Sequence, residues 1–373
     1  NDKMFPGQPR KRPRRQISYG HDGTNSHRLM ETEQSVFRLL QSGRGIIFSG
    51  AGMSVAAGLD IFSTFSNEEV PKSKSSGKKQ RYTNNYQKKK LMSKIEKQGW
   101  YSQAATRLGL KDGMEAFRFR YLNNFPRQSF YLLECLYWQV VGSNVSPTLA
   151  HQIVNRMGDR VVRHYTLNID GLAPIATRAS TTTIHDATEA TTPAAKAVEL
   201  HGSLHELVCR SCGNVYPTNT ILDSSRCLCL DNDAIQPNTA AATAGDIVPP
   251  HPTCPNKDCN GELRFRILLY EDLESHLIFG NNASSLESLL PNDLALAQWI
   301  TWVGVSFRQQ ASCEYFDKML QLGATCPIVI VDPRAKNVLE DLETVVGTLD
   351  GFICYPMAMT SDEFFQKLET FPK

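Results

Sequence analysis

Gly45-Ile46-Ile47-Phe48-Ser49-Gly50-Ala51-Gly52-Met53-Ser54-Val55-Ala56-Ala57-Gly58 is a short apolar run that enters a turn of small residues and leaves it toward helix-forming ones. An apolar run of this length bounded by glycines reads as a buried strand. Glycines in the turn allow tight backbone geometry and close approach of a ligand, and a helix N-terminus beyond it would attract phosphate. The stretch therefore reads as the first βα turn of a nucleotide-binding fold. Taken alone, it is equally what close packing of a helix on a strand requires.

Upstream, Ser35, Val36, Leu39 and Leu40 sit at helical spacing and Gly43 reads as a helix stop, with ordered structure expected from about Glu31. Before it, a tail rich in proline, glycine and basic residues carries Arg10, Lys11, Arg12, Arg14 and Arg15. Such a composition points to disorder, and a basic run suits nuclear import, contact with nucleic acid, or simply a solvated tail. Downstream, 67–98 is lysine-rich and reads as a mobile segment running into helix. Between Tyr101 and Val141, Phe117, Tyr121, Phe130, Leu133 and Tyr137 recur at helical spacing, as core residues do.

Further strands are expected at Val161 to Tyr165, at Ile300 to Val303 and at Ile328 to Val331. Near-continuous apolar runs suit a parallel sheet covered on both faces, so the expected class is α/β, Rossmann-like. Two low-complexity stretches, 177–196 and 238–245, are left without regular structure.

At 373 residues, with 41% hydrophobic and 21% charged residues, the chain is long enough for one large core and a satellite module. No stretch approaches the roughly 20 apolar residues that span a bilayer, and the basic N-terminus lacks a signal-peptide core; a soluble, non-exported protein is expected. Ten cysteines then read as thiols and metal ligands rather than a disulfide framework. Cys209 and Cys212 form one close pair and Cys254 and Cys259 a second, across a polar segment with little to fill a core. Four thiolates suit a closed structural zinc site, with Cys227 and Cys229 as rival ligands.

Between the glycine turn and the cysteines lie Tyr165-Thr166-Leu167-Asn168-Ile169-Asp170-Gly171-Leu172 and Glu199-Leu200-His201-Gly202-Ser203-Leu204. They place an amide, a carboxylate and an imidazole beyond buried strands, where open α/β folds bind ligands. A lone histidine is more often structural than catalytic; the order of the pieces is what is specific. GAGMSVAAG, TLNIDGL, ELHGSL, the two cysteine pairs, VGVSF at 303–307 and IVIVD at 328–332 together resemble the sirtuin family of NAD-dependent protein deacylases, with inserts like those of its fungal nuclear branch.

The resemblance implies that Gly50, Ala51, Gly52 and Ser54 face NAD phosphates and that Asn168 and Asp170 shape a nicotinamide pocket. By the same resemblance His201 is the catalytic base, Gly304 and Ser306 stand in the Gly-Thr-Ser motif, and Asp332 stands where the family holds the adenosine ribose with asparagine. The implied chemistry is attack of an acyl oxygen of acetyl-lysine on the nicotinamide ribose, with His201 removing a ribose hydroxyl proton. The products are free lysine, nicotinamide and O-acetyl-ADP-ribose. The implied organisation is a tail over 1–30, a Rossmann-like domain over 31–205 and 264–373 with a cofactor-loop and helical segment at 66–125, and a zinc module over 206–263. The implied partner is an acyl-lysine protein, a histone or another nuclear protein, with the tail reaching chromatin and no membrane involved.

The chain departs from the family where GIPDFRS is replaced by Gly58-Leu59-Asp60-Ile61-Phe62-Ser63-Thr64, which loses an arginine that none between Arg44 and Arg81 supplies. Leu167 replaces a glutamine, Val305 a threonine, Phe265 a proline and Glu271 a glycine. A weakened sirtuin that binds NAD, ADP-ribose or acyl-lysine as a silencing scaffold is therefore the alternative, and ADP-ribosyl transfer would use the same pocket. A plain zinc-ribbon nucleic-acid binder leaves the His-Gly and Asn-Ile-Asp-Gly pieces unexplained.

Overall fold

The structure is a computed structural model that describes residues 25–59, 100–110, 113–142, 145–181, 197–223, 248–279, 286–347, 349 and 352–372. Its first helix, α1 (Asn25–Ser42), begins ahead of the Glu31 expected from the sequence and buries Val36, Phe37 and Leu40. The expected strand follows as β1 (Gly45–Ser49), buried along its whole length. The tail before residue 25, the lysine-rich segment 67–98, the Asp60 to Thr64 departure and the 238–245 stretch lie outside the described residues.

The aromatic stretch after residue 100 forms α2 (Trp100–Arg107) and α3 (Pro126–Gly142), and Phe117, Tyr121, Phe130, Leu133 and Tyr137 are all buried, as their spacing implies. Next come α4 (Leu149–Arg156), β2 (Val161–Thr166) and α5 (Leu172–Thr181). The last of these corrects the reading of 177–196 as wholly irregular, because its first residues are helical. Alanine and leucine within Leu172–Thr181 favour helix and outweigh the threonines that obscured the pattern.

The remaining elements are β3 (Ala197–Glu199), β4 (Gly202–Cys209), β5 (Val215–Pro217), β6 (Leu263–Ile267) and α6 (Leu286–Leu296). They are followed by β7 (Trp299–Val303), α7 (Gln310–Gln321), β8 (Ile328–Val331), α8 (Ala335–Val346), β9 (Cys354–Met357) and α9 (Ser361–Thr370).

Six strands form one sheet in the order β3-β2-β1-β7-β8-β9, every pairing parallel. Apolar clusters cover both faces, one built on Ile47, Trp299, Val329 and Phe364 and the other on Phe48, Tyr165, Trp302 and Phe316. Across the second face Phe48 stacks between Trp302, with centroids 4.1 Å apart and rings 5° from parallel, and Tyr165 at 5.1 Å. These three residues share one register across β2, β1 and β7, so the stack pins the alignment of the three central strands. Pro356 in β9 is tolerated because β9 is the sheet edge. A second, antiparallel sheet of order β5-β4-β6 carries the cysteines.

Candidate cofactor edge and metal centre

All parallel strands deliver their carboxyl ends to one edge. Along the strand order that edge presents His201 after β3, Asn168 and Asp170 after β2, Gly50 to Ser54 after β1, Gly304 to Ser306 after β7, and Asp332 after β8. The strand order turns back between β1 and β7, and crevices at such switch points are where open α/β sheets take ligands.

At that point the glycines of two turns touch. Gly304, at φ 62°, lies so close to the first turn that a Cβ on it would come within 2.6 Å of Gly52 Cα, and a Cβ on Gly52 would reach Gly304 Cα at the same distance. The Gly50 and Gly52 amides donate to the carbonyls of Val303 and Gly304, both at 3.0 Å. The expected α-helix after the turn is replaced by two short 3-10 turns, Ala51–Met53 and Val55–Ala57. The Ser54 and Gly58 amides close these turns on Ala51 and Val55, so the local backbone is tightened rather than opened into a regular helix end.

The strand-end polar residues form one connected set. The Asn168 side-chain amide donates to the Gly50 carbonyl and to Ser54 Oγ, each at 3.0 Å, and Ser54 Oγ donates to Asp170 Oδ2 at 2.6 Å. Asp170 Oδ1 accepts from the Leu172 amide at 2.9 Å. Burial pushes the Asp170 carboxyl above its ordinary range, and the bonds from Ser54 and Leu172 oppose that rise. Ser54 is thus committed inward, bracing the turn against the Asn-Ile-Asp-Gly loop. The structure also shows His205, which the sequence reading passed over: its ring bonds the Asp170 carbonyl at 3.0 Å and packs on Gly171.

His201 Nδ1 lies 2.9 Å from the Leu167 carbonyl, which can only accept, so Nδ1 carries the proton and Nε2 keeps its lone pair. Burial lowers the His201 pKa, with the Leu167 carbonyl partly opposing, so the imidazole is held neutral near physiological pH. Leu167 holds His201 through its backbone, and its amide in turn donates to the Ser49 carbonyl at 2.8 Å. The exchange of glutamine for leucine therefore leaves this anchor intact. Tyr315 of α7 lies against the imidazole with centroids 5.6 Å apart, another neighbour that no motif announced. Ser306 is half-buried beyond β7, and Asp332 Oδ1 accepts from the Arg334 amide at 2.7 Å.

In the second sheet the sulfurs of Cys209, Cys212, Cys254 and Cys259 all lie within 4.8 Å of one another. Cys209 and Cys259 are separated by 3.6 Å and Cys212 and Cys254 by 3.7 Å. These gaps are far beyond a disulfide bond of about 2.05 Å. They match the edge of a tetrahedron with Zn–S bonds of about 2.3 Å, which is roughly 3.8 Å. The donor set fits Zn²⁺ in a closed shell. The rivals Cys227 and Cys229 lie outside the described residues.

Beside the cysteines Arg264, 2% exposed, pairs with Asp272 at 2.7 Å, with Glu274 at 3.2 Å and with the Ile267 carbonyl. Glu274 also takes Arg210, the residue next to Cys209, at 2.6 Å. Within this loop Glu271 adopts φ 59°, keeping the left-handed turn that a glycine would hold without strain.

The chain belongs to the Sir2 family, whose model matches residues 92–280. Among solved structures it is similar to Sir2Tm bound to a propionylated peptide, with 17% identity and a TM-score of 0.51, the match covering 90% of this chain and 96% of that one. A Sir2 homolog–NAD complex gives 16% identity and a TM-score of 0.52, covering 90% and 93% of the two chains. Sir2 bound to an acetylated peptide gives 16% and 0.51, covering 90% and 96%. At these identities the likeness carries the fold. No curated protein matches the sequence.

Proposed function

We propose that this protein is an NAD-dependent protein-lysine deacylase with His201 as its general base. The observation that carries the reading is the neutral, tautomer-fixed imidazole at the same sheet edge as the joined Gly50, Ser54, Asn168 and Asp170 set. A base of this kind has its proton acceptor available at neutral pH. Asn168 and Asp170 would orient the nicotinamide end, the Gly50 to Gly52 and Gly304 to Ser306 turns would take the phosphates, and the Asp332 carboxylate would accept from an adenosine ribose hydroxyl. NAD as co-substrate supplies the leaving nicotinamide and the ribose hydroxyl whose proton His201 takes. The zinc, held by Cys209, Cys212, Cys254 and Cys259, is structural because its shell is filled by protein sulfur.

The finer reading is a deacetylase that acts on histones or other nuclear proteins, brought to chromatin by the basic run at Arg10 to Arg15. A scaffold that binds NAD, ADP-ribose or acyl-lysine without turnover is the second reading, favoured by the absence of any arginine between Arg44 and Arg81. One experiment separates them: nicotinamide release from NAD with acetyl-lysine histone peptides, comparing wild type with His201→Ala. Peptide-dependent release that falls roughly 10²- to 10⁴-fold in the variant supports the deacylase. No release from wild type, with ADP-ribose still binding in calorimetry, sinks the enzyme and leaves the scaffold.

A further inference from the structure

Outside the four sulfurs, the cysteine cluster has among the described residues a side-chain partner that no metal-ligand pattern assigns. The Tyr216 hydroxyl lies 3.2 Å from Cys254 Sγ. A metal-bound thiolate has no proton to give, so the phenol is the donor and Cys254 the acceptor. The Asn214 side-chain amide, 3.5 Å behind, is directed at the Tyr216 oxygen and completes a short chain toward the sulfur.

The placement is built into the fold. Tyr216 sits in β5 opposite Leu207 of β4, and the turn between the strands is closed by the Cys209 amide on the Asn214 carbonyl at 2.9 Å and by the Gly213 amide on Cys209 at 3.0 Å. The turn that sets the first cysteine pair therefore also aims Tyr216 across the metal site at the second. Cys209 is served differently, by the backbone amides of Ser211 and Cys212 at 3.4 Å and 3.5 Å.

We infer that Tyr216 is a positioning residue of the zinc centre, its hydroxyl holding Cys254 in the ligand set as a metal-bound thiolate. Four thiolates around Zn²⁺ carry a net charge of −2, and hydrogen bonds to sulfur disperse that charge. Partners of this kind orient ligands and typically change metal retention about 10- to 100-fold when removed. The hydroxyl should matter and the ring should not, because the ring packs against the apolar cluster that contains Leu207 whether or not it carries oxygen.

The test uses the whole 373-residue chain loaded with zinc. Elemental analysis first establishes zinc in the wild type; a metal-free wild type overturns the zinc assignment and this inference together. Zinc transfer to a chromogenic chelator is then timed for wild type, Tyr216→Phe and Asn214→Ala, while alkylation of the four cysteines is followed by peptide mass spectrometry. The expected result is transfer about tenfold faster in Tyr216→Phe, a smaller increase in Asn214→Ala, and Cys254 alkylated first. Unchanged transfer in Tyr216→Phe overturns the inference. So does faster transfer with the four cysteines alkylated in step, since that reports general opening of the module rather than release of one ligand.

Discussion

The glycine turn on the parallel sheet and the cysteine module on the antiparallel sheet are both small backbone features for which a charged guest is proposed, yet they are stabilised by different means. The turn is held from beneath. Gly50, Gly52 and Gly304 press backbone to backbone, the Met53 carbonyl accepts from Thr148 and the Gly52 carbonyl from Ser361, and fully buried strands lie below. The module has three short strands, one of them with half-exposed Val215 and Tyr216, and is knitted by sulfur and by the Arg210, Arg264, Asp272 and Glu274 ion pairs. A turn supported by a large core keeps its shape without its ligand, whereas the cysteine loops, which lie at the end of a sheet whose Leu207, Leu263 and Phe265 share an apolar cluster with α3, depend on metal and charges of their own.

The widest gap between the two regions should open on metal removal. Structural zinc contributes about 10–16 kcal/mol of apparent binding free energy in small modules, so a strong chelator should open the loops that carry Cys209 to Cys212 and Cys254 to Cys259 while the six-stranded sheet persists. Amide hydrogen exchange would show protection lost at Cys209, Arg210 and Cys254, whose amides bond the Asn214, Glu262 and Gly261 carbonyls, and kept at Ile47 and Ile300. Loss of protection in both regions together would show that the module is no separate unit.

Breaking the module's charges comes next. Arg264 and Asp272 are 2% and 1% exposed at their side chains, so Asp272→Ala leaves a buried guanidinium short of its main partner and should cost about 3–5 kcal/mol. Chemical denaturation with zinc present would measure it. A cost below about 1 kcal/mol would mean Glu274 alone satisfies Arg264.

Acid should act first beneath the turn. His164, bonded to Ser49 Oγ at 2.8 Å, has its pKa lowered to about 4 by burial, and His151, which contacts Thr148 Oγ1 at 2.8 Å, is lowered to about 3 by burial and by His164. Both folded values lie below the ordinary 6.5, so the unfolded chain binds protons first as pH falls. Their neutral forms contribute stability that is complete above about pH 6.5 and is lost toward pH 4, at up to about 1.4 kcal/mol per pH unit for each histidine. Asp170, raised by burial, works in the opposite sense and softens the slope at the acid end. Between pH 6.5 and about pH 5 stability should fall by about 2 kcal/mol or more, and His164→Gln should flatten the curve. An identical slope in that variant would place the acid sensitivity elsewhere.

The smallest effect has the opposite sign. Glu271→Gly at the left-handed position should relieve strain and stabilise the loop after β6 by about 1 kcal/mol, less the entropy that glycine adds to the unfolded chain. A destabilised variant would mean that the glutamate side chain makes a contact worth more than its backbone strain.

What was legible in the sequence follows the same division. The strands at Gly45, Trp299 and Ile328 are near-continuous apolar runs, which burial on both faces explains, the strand at Val161 shows through Val161, Val162 and Tyr165 around Arg163 and His164, and the two cysteine pairs need no geometry to be noticed. β3 and β9 were missed because one is three residues long and the other contains Pro356, so neither shows a period. α5 is not anticipated by the sequence, because Thr177, Ser180 and Thr181 open the stretch that reads as irregular.

The candidate site divides in the same way. The residue types are legible from order along the chain, since GAG, NIDG, HG and the cysteine pairs follow one another as they do in the Sir2 family. Their roles toward one another came only from the fold. Ser54 turns inward to Asp170, Leu167 anchors His201 by its carbonyl and not its side chain, and His205, Tyr315 and Tyr216 reach their partners across gaps in sequence that no local pattern spans. Periodicity and spacing report what each segment must bury or bind by itself. Which hydrogen-bond partner each polar group finds is decided by the packing of strands far apart in the chain, because only there do the desolvated donors and acceptors meet.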